Sequence, residues 1–202
     1  MVAVPPRAGG LGPPYAALLA PGAGADRTTP QLVAMDEALS GLGWVVERMD
    51  FPYRLAGRRA PDRPPVLLAS VRAAADRLIE RSGVLPERLF LGGRSMGGRM
   101  CSMAVAEGLP AAGLILVSYP LHPPGRPDKQ PERTRHFVDL RLPCLFVSGT
   151  KDAFGAPGER EAATADIPGT VTHEWIEGAD HGLRSRNVQV VQRIAGWCAS
   201  FI

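Results

Sequence analysis

Short apolar runs and amphipathic stretches alternate along the chain. Ala16–Ala20 is apolar at every position and stops at Pro21-Gly22-Ala23-Gly24. A short continuous apolar run ended by Pro and Gly predicts a strand buried on both faces. Strand-like segments recur at residues 44–49, closed by Asp50 and Pro52, and at 89–92, 114–118, 144–148 and 171–176. Helical periodicity fills the spaces between. Residues 30–42 read as a helix with Thr29 at the N-cap and Pro30 in the first turn. Residues 66–81 put Leu67, Val71, Ala74, Ala75 and Leu78 on one face. Residues 96–107, 134–140, 157–165 and 187–201 predict four more helices, the last with Val188, Val191, Ala195 and Cys198 facing in. Two Pro-rich loops, 51–65 and 119–133, each follow a strand.

Strands separated by helices predict an α/β fold: a doubly wound, mostly parallel sheet of about six strands with helices on both faces. There is no internal repeat and no linker, so residues 1–202 read as one domain. In open sheets of this kind ligands bind beyond the C-terminal ends of the strands. The two Pro-rich loops lie at that edge and are expected to wall the site.

Composition narrows the class. Of 202 residues, 45% are hydrophobic and 21% charged, as in ordinary globular proteins. No apolar run approaches the ~20 residues that span a bilayer, and residues 1–10 lack the basic head and apolar core of a secretory signal. The net charge is +3, and Lys129 and Lys151 are the only lysines. The positive charge is spread along the chain rather than gathered in a stripe, which argues against nucleic acid as a partner. Cys101, Cys144 and Cys198 form no C-x-x-C, so neither a disulfide framework nor a zinc ribbon is expected. Their free thiols fit a reducing cytoplasm.

The candidate chemistry sits in Gly93-Arg94-Ser95-Met96-Gly97, a G-x-S-x-G between a strand and a helix. In a nucleophile elbow the serine occupies a strained turn, and small neighbours leave room for it. A Gly-rich strand-to-helix turn without chemistry is the plainer alternative. Serine needs a base, and the base needs an acid to orient it. Asp152 follows the fifth predicted strand and His181 the sixth, in the order Ser–Asp–His, and both fall at the sheet edge that carries Ser95. Asp180 adjoins His181 and is badly placed to orient its neighbour's ring. His136 and His173 fall at a helix start and inside a strand and read as structural, whereas His122 can line the pocket. An oxyanion hole is expected from the N–H groups of Met96 and Ala23.

These residues resemble a known group. Phe51-Pro52-Tyr53, Pro61-Asp62-Arg63, Gly93-Arg94-Ser95-Met96-Gly97-Gly98-Arg99, Tyr119-Pro120-Leu121-His122-Pro123-Pro124-Gly125, Ser148-Gly149-Thr150-Lys151-Asp152 and Gly178-Ala179-Asp180-His181 look like the small α/β-hydrolases of the dienelactone-hydrolase-like branch. They are closest there to bacterial relatives of the testis-expressed and NSL-complex-subunit hydrolase-like domains. The resemblance implies a minimal α/β-hydrolase without a cap domain, with Ser95, Asp152 and His181 as the triad. It implies no particular substrate. Such proteins usually carry His-Gly-Ala-Gly after the first strand, and here Pro21 stands in place of the His. The short start also leaves little room for the usual extra N-terminal strands.

Three functions compete. A serine esterase acting on a small acyl substrate needs neither metal nor organic cofactor. A binding or scaffold protein on an inactive hydrolase fold is favoured by Pro21. A dinucleotide-binding oxidoreductase is suggested by Gly22-Ala23-Gly24 with Asp50 at the end of the next strand, but the third glycine of that fingerprint is Arg27. Tyr53, Arg94, Tyr119 and His122 are the candidate substrate contacts. Arg94, Arg99, Arg54, Arg58, Arg59 and Arg63 crowd the same edge. They could grip a carboxylate or phosphate, although ion pairs and loop ordering are the simpler use for them.

Overall fold

The computed structural model describes residues 14–202. The reading of residues 1–10 lies outside them. Six strands form one sheet: β1 (Ala16–Ala20), β2 (Val45–Arg48), β3 (Leu89–Arg94), β4 (Gly113–Val117), β5 (Cys144–Gly149) and β6 (Val171–Ile176). Their order is β2-β1-β3-β4-β5-β6, and every neighbouring pair is parallel. All five residues of β1 are fully buried, as their unbroken apolar run predicts.

The helices are α1 (Pro30–Gly41), α2 (Pro52–Leu55), α3 (Pro64–Ser82), α4 (Met96–Ala106), α5 (Pro131–Thr134), α6 (Pro157–Thr164) and α7 (Asn187–Ala199). Two apolar cores form, one on each face of the sheet. Leu67, Val71, Ala74 and Leu78 of α3 join Met100 and Ala104 of α4 and Ala163 of α6 in one. Leu32, Met35 and Leu39 of α1 join Val190, Ile194 and Cys198 of α7 in the other. Burial of each large side chain contributes about 1.5–3 kcal/mol, so the strands are held firmly from both faces.

The structure departs from the sequence reading at three places. In α7 the inward stripe is Val190–Ile194–Cys198, while Val188 points to solvent. Both stripes have helical spacing and share Cys198; the helix turns inward the one carrying Ile194, which buries more apolar surface than Ala195. The helix expected at 134–140 is split. Its helical turn begins earlier, at Pro131, and a 3-10 turn at Phe137–Asp139 follows. Pro131 suits a first helical position, and the break seats Phe137 between Tyr119 and Phe146. Thr29 does precede α1, but its hydroxyl donates to the Asp26 carbonyl (2.7 Å) and leaves the helix amides uncapped.

The chain leaves β1 toward β2 on one side and β3 toward β4 on the other. Their adjacent C-terminal ends, paired at Ala20 and Gly93, therefore form the topological switch point where such sheets bind ligands.

Candidate active site

The turn after β3 is built by steric exclusion. Gly93 has φ +144 and lies against Ala20 so closely that a Cβ would collide with the Ala20 carbonyl; Gly97 meets the same oxygen. Side chains are thus excluded on both flanks of Ser95. Ser95 itself has φ 50 and ψ −117, a region L-residues avoid at a cost of about 1–3 kcal/mol. Its N–H donates to the Val117 carbonyl at the end of β4 (2.8 Å), and its carbonyl accepts the Arg99 N–H (3.1 Å). These bonds pin the strained residue at the N-terminus of α4.

Ser95 Oγ lies 2.9 Å from His181 Nε2. His181 Nδ1 lies 3.0 Å from both Asp152 Oδ1 and Oδ2. A carboxylate only accepts, so Nδ1 carries the proton and Nε2 is free to accept the Ser95 hydroxyl. The Phe154 ring stacks on the imidazole, with centroids 4.0 Å apart and planes at 29°. The side chains come from loops after β3, β5 and β6, three strands that end on one edge.

Asp152 has other donors. It is 3% exposed, and Oδ1 accepts the Phe154 N–H at 2.9 Å. Oδ2 accepts from Arg160 Nη2 at 2.7 Å. Arg160 lies in α6 and is fully buried; its Nε donates to the Gly155 carbonyl at 3.0 Å and its Nη1 to the Tyr119 carbonyl. Burial pulls its guanidinium below the ordinary range, and the Asp152 charge opposes that pull. Arg94, half-buried, donates to the His181 carbonyl at 2.9 Å. Desolvation lowers its pKa as well, against the charges of Asp152 and Asp180.

The loop after β1 makes a turn closed by the Ala25 N–H on the Gly22 carbonyl (3.1 Å), with Gly24 at φ +74. That φ requires glycine in the third turn position. The Gly24 N–H donates to the Tyr53 hydroxyl at 3.0 Å. Among the described residues, the N–H groups of Ala23 and Met96 have no protein acceptor.

The remaining expected contacts lie elsewhere than a substrate wall. Tyr53 and Tyr119 are fully buried, and Tyr119 spends its hydroxyl on the Arg133 carbonyl at 2.6 Å. His122 is 5% exposed, with Nδ1 on the Pro123 carbonyl (2.8 Å) and Nε2 3.5 Å from Glu159. Both aromatic rings fill core space under the Pro-rich loops, which the alternation of Pro with apolar residues there does not reveal. Arg54 pairs with Asp26 and Arg58 with Asp62, so ion pairing accounts for those two loop arginines. Asp180 accepts the Gly182 N–H (2.9 Å), and it is Asp152 that bonds the His181 ring. His136 bonds Ser102 and His173 bonds Thr164, each at 2.9 Å, as structural histidines do. Among the described residues no group of three or more His, Cys, Asp or Glu is placed to hold a metal ion. Nor is any helix among them long and apolar enough to cross a membrane.

Sequence reasoning missed Arg160 and Phe154. The signal for Arg160 was present: it shares the inward face of α6 with Ala163 and Thr164, and an arginine on an inward face needs a buried partner.

Residues 14–197 match the family model described as the alpha/beta hydrolase domain, and the chain belongs to that family. Solved structures share the fold at low identity. A lidless α/β serine hydrolase from Xanthomonas campestris superposes with a TM-score of 0.76 at 19% identity, over 98% of this chain and 86% of that one. Est1E from Butyrivibrio proteoclasticus, solved with bound ferulic acid, gives 0.76 at 16%, over 92% and 88%. A dienelactone hydrolase from Anabaena variabilis gives 0.73 at 20%, over 93% and 87%. The fold is the α/β-hydrolase fold without a lid.

Proposed function

We propose that the protein is a serine hydrolase that cleaves an ester or related acyl bond of a small molecule. The observation that carries this reading is the unbroken hydrogen-bond chain from Ser95 through His181 to Asp152, with the serine held in a strained turn. Ser95 Oγ attacks the acyl carbon while His181 Nε2 takes its proton. The same proton then goes to the leaving group, and water repeats the sequence to free the acid. Asp152 holds the ring and stabilises its cation. The free N–H groups of Ala23 and Met96 are the donors for the oxyanion; losing one such donor typically costs ~3 kcal/mol of transition-state stabilisation. No step calls on a metal or organic cofactor.

Pro21 favours a second reading, a weak or inactive binding protein on this fold. By the resemblance drawn above a histidine is expected at this position, and proline has no N–H to offer. The proposed donor, however, is two residues further on. The oxidoreductase reading loses its ribose-binding acid, because Asp50 Oδ1 already accepts the Arg27 N–H at 2.7 Å and Oδ2 pairs with its guanidinium at 3.0 Å. The three buried thiols suit a reducing compartment and so a cytoplasmic protein.

Purified protein should turn over p-nitrophenyl acetate, and Ser95→Ala should abolish that turnover. Activity that survives Ser95→Ala would remove the mechanism.

A further inference from the structure

Arg160 has the largest fully buried side chain among the described residues, and every nitrogen of its guanidinium is engaged. One arm holds the Asp152 carboxylate; the other two hold the carbonyls that frame the Asp152 loop, from Gly155 and from Tyr119 at the end of β4. We propose that Arg160 is a positioning residue that keeps Asp152 ionised and thereby fixes the proton of His181 on Nδ1. This rests on the serine-hydrolase reading above.

The argument is one of charge. For most of a catalytic cycle His181 is neutral and gives Asp152 no counter-charge. The Asp152 side chain has no solvent exposure, and a lone carboxylate in that position favours its neutral form. A protonated Asp152 would donate to His181 Nδ1. The imidazole would then carry its hydrogen on Nε2, toward Ser95, where it cannot take the serine proton. Arg160 at 2.7 Å supplies the missing cation from the side opposite the imidazole.

Other charges around the relay do not replace it. Arg94, at the end of β3, feels the Asp152 charge but donates to the backbone carbonyl of His181 and not to the carboxylate. Asp180 and Arg184 belong to the histidine's own loop, and Asp180 accepts from the Gly182 amide. Glu159, beside Arg160 in sequence, accepts the Ala156 N–H at 2.7 Å and faces His122. Tyr119 meets Arg160 through its backbone.

The test is the rate of Ser95 phosphonylation by a fluorophosphonate across about pH 5 to 9, for wild type, Arg160→Met, Arg160→Gln and Arg160→Lys. The Met and Gln variants should react about tenfold more slowly at neutral pH, with the acid limb moved up by about one pH unit. Arg160→Lys restores the charge without the fork; its limb should return to the wild-type position although its rate stays reduced. A merely structural Arg160 would lower stability and leave the limb in place. A folded Met or Gln variant with the wild-type limb therefore overturns the proposal, and if Arg160→Met does not fold, Arg160→Gln decides. The His181 ring is also titrated by NMR in the Ser95→Ala background, with and without Arg160→Gln. An upward shift of that titration supports the proposal and an unmoved titration overturns it. Wild-type protein that takes no label would defeat the hydrolase reading, while the ring titration still decides what Arg160 does.

Discussion

The Tyr53 hydroxyl accepts the N–H of Gly24 at 3.0 Å, so a fully buried phenol on α2 fixes the turn that presents the Ala23 amide. Burial raises the Tyr53 pKa, and the group stays a neutral phenol across the working range. Tyr53→Phe keeps the ring and removes the acceptor. The turn then loses the bond that anchors its Gly24 amide, and the preceding Gly22–Ala23 peptide, which carries the Ala23 N–H, is held less firmly. The expected outcome is a fall in kcat of about tenfold with KM little changed, since one of the proposed oxyanion donors is loosened rather than lost. Steady-state kinetics on a p-nitrophenyl ester reads both parameters. A raised KM at constant kcat would show instead that Tyr53 serves substrate binding.

Strain at the elbow gives a stability prediction of opposite sign to activity. Ser95 holds φ 50 and ψ −117, which glycine adopts at no steric cost. Ser95→Gly should therefore abolish turnover and still raise stability by about 1 kcal/mol, the relieved strain less the extra flexibility of the unfolded chain. Urea denaturation of the two proteins measures this directly. A destabilised Ser95→Gly would mean that the side chain's contacts outweigh the strain.

The same crowding forbids growth beside the serine. A Cβ on Gly97 would run into the carbonyls of Ala20 and Pro21, and Ala20 is held in the β1–β3 ladder, paired with Gly93. Gly97→Ala should cost about 3 kcal/mol or more and should lower the yield of folded protein. Thermal melting beside wild type settles it, and a loss below about 1 kcal/mol would contradict the packing described.

His136 gives a pH dependence. Its burial, aided by the Arg99 and Arg135 charges, lowers its pKa from 6.5 to about 4. The unfolded state therefore binds the proton more readily than the folded one. Stability is full above the unfolded value of 6.5 and declines as pH falls toward about 4. The loss should reach about 2 kcal/mol once solvent screening is allowed for. Urea midpoints at several pH values, compared with His136→Gln, isolate this group. Curves that stay parallel between pH 6.5 and 4 would exclude it as the source.

Much of this was legible in the sequence because the four central strands, β1, β3, β4 and β5, are buried on both faces. Runs such as Ala16–Ala20 are apolar at each position and end at Pro or Gly. The order Ser95, Asp152, His181 was readable because each residue lies in the turn or loop that follows a strand, and parallel strands end on one edge. What was hidden depends on distance across the fold. Tyr53 and Tyr119 follow strands and lie near the elbow, so they read as pocket residues. Only the packing reveals that their rings point into the core. Arg160 lies eight positions past Asp152, in a helix whose polar surface conceals one inward arginine. The inward stripe of α7 could be drawn two ways from spacing alone.

The central claim is that Ser95 is an activated nucleophile. The most direct measurement is covalent labelling of purified protein by a fluorophosphonate, with the adduct located by mass spectrometry, in wild type, Ser95→Ala and His181→Ala. We expect one adduct, on Ser95, absent in the first variant and sharply reduced in the second. Folded wild-type protein that takes no label, or takes it on another residue to the same extent in all three proteins, would contradict the claim and leave the non-catalytic reading favoured by Pro21.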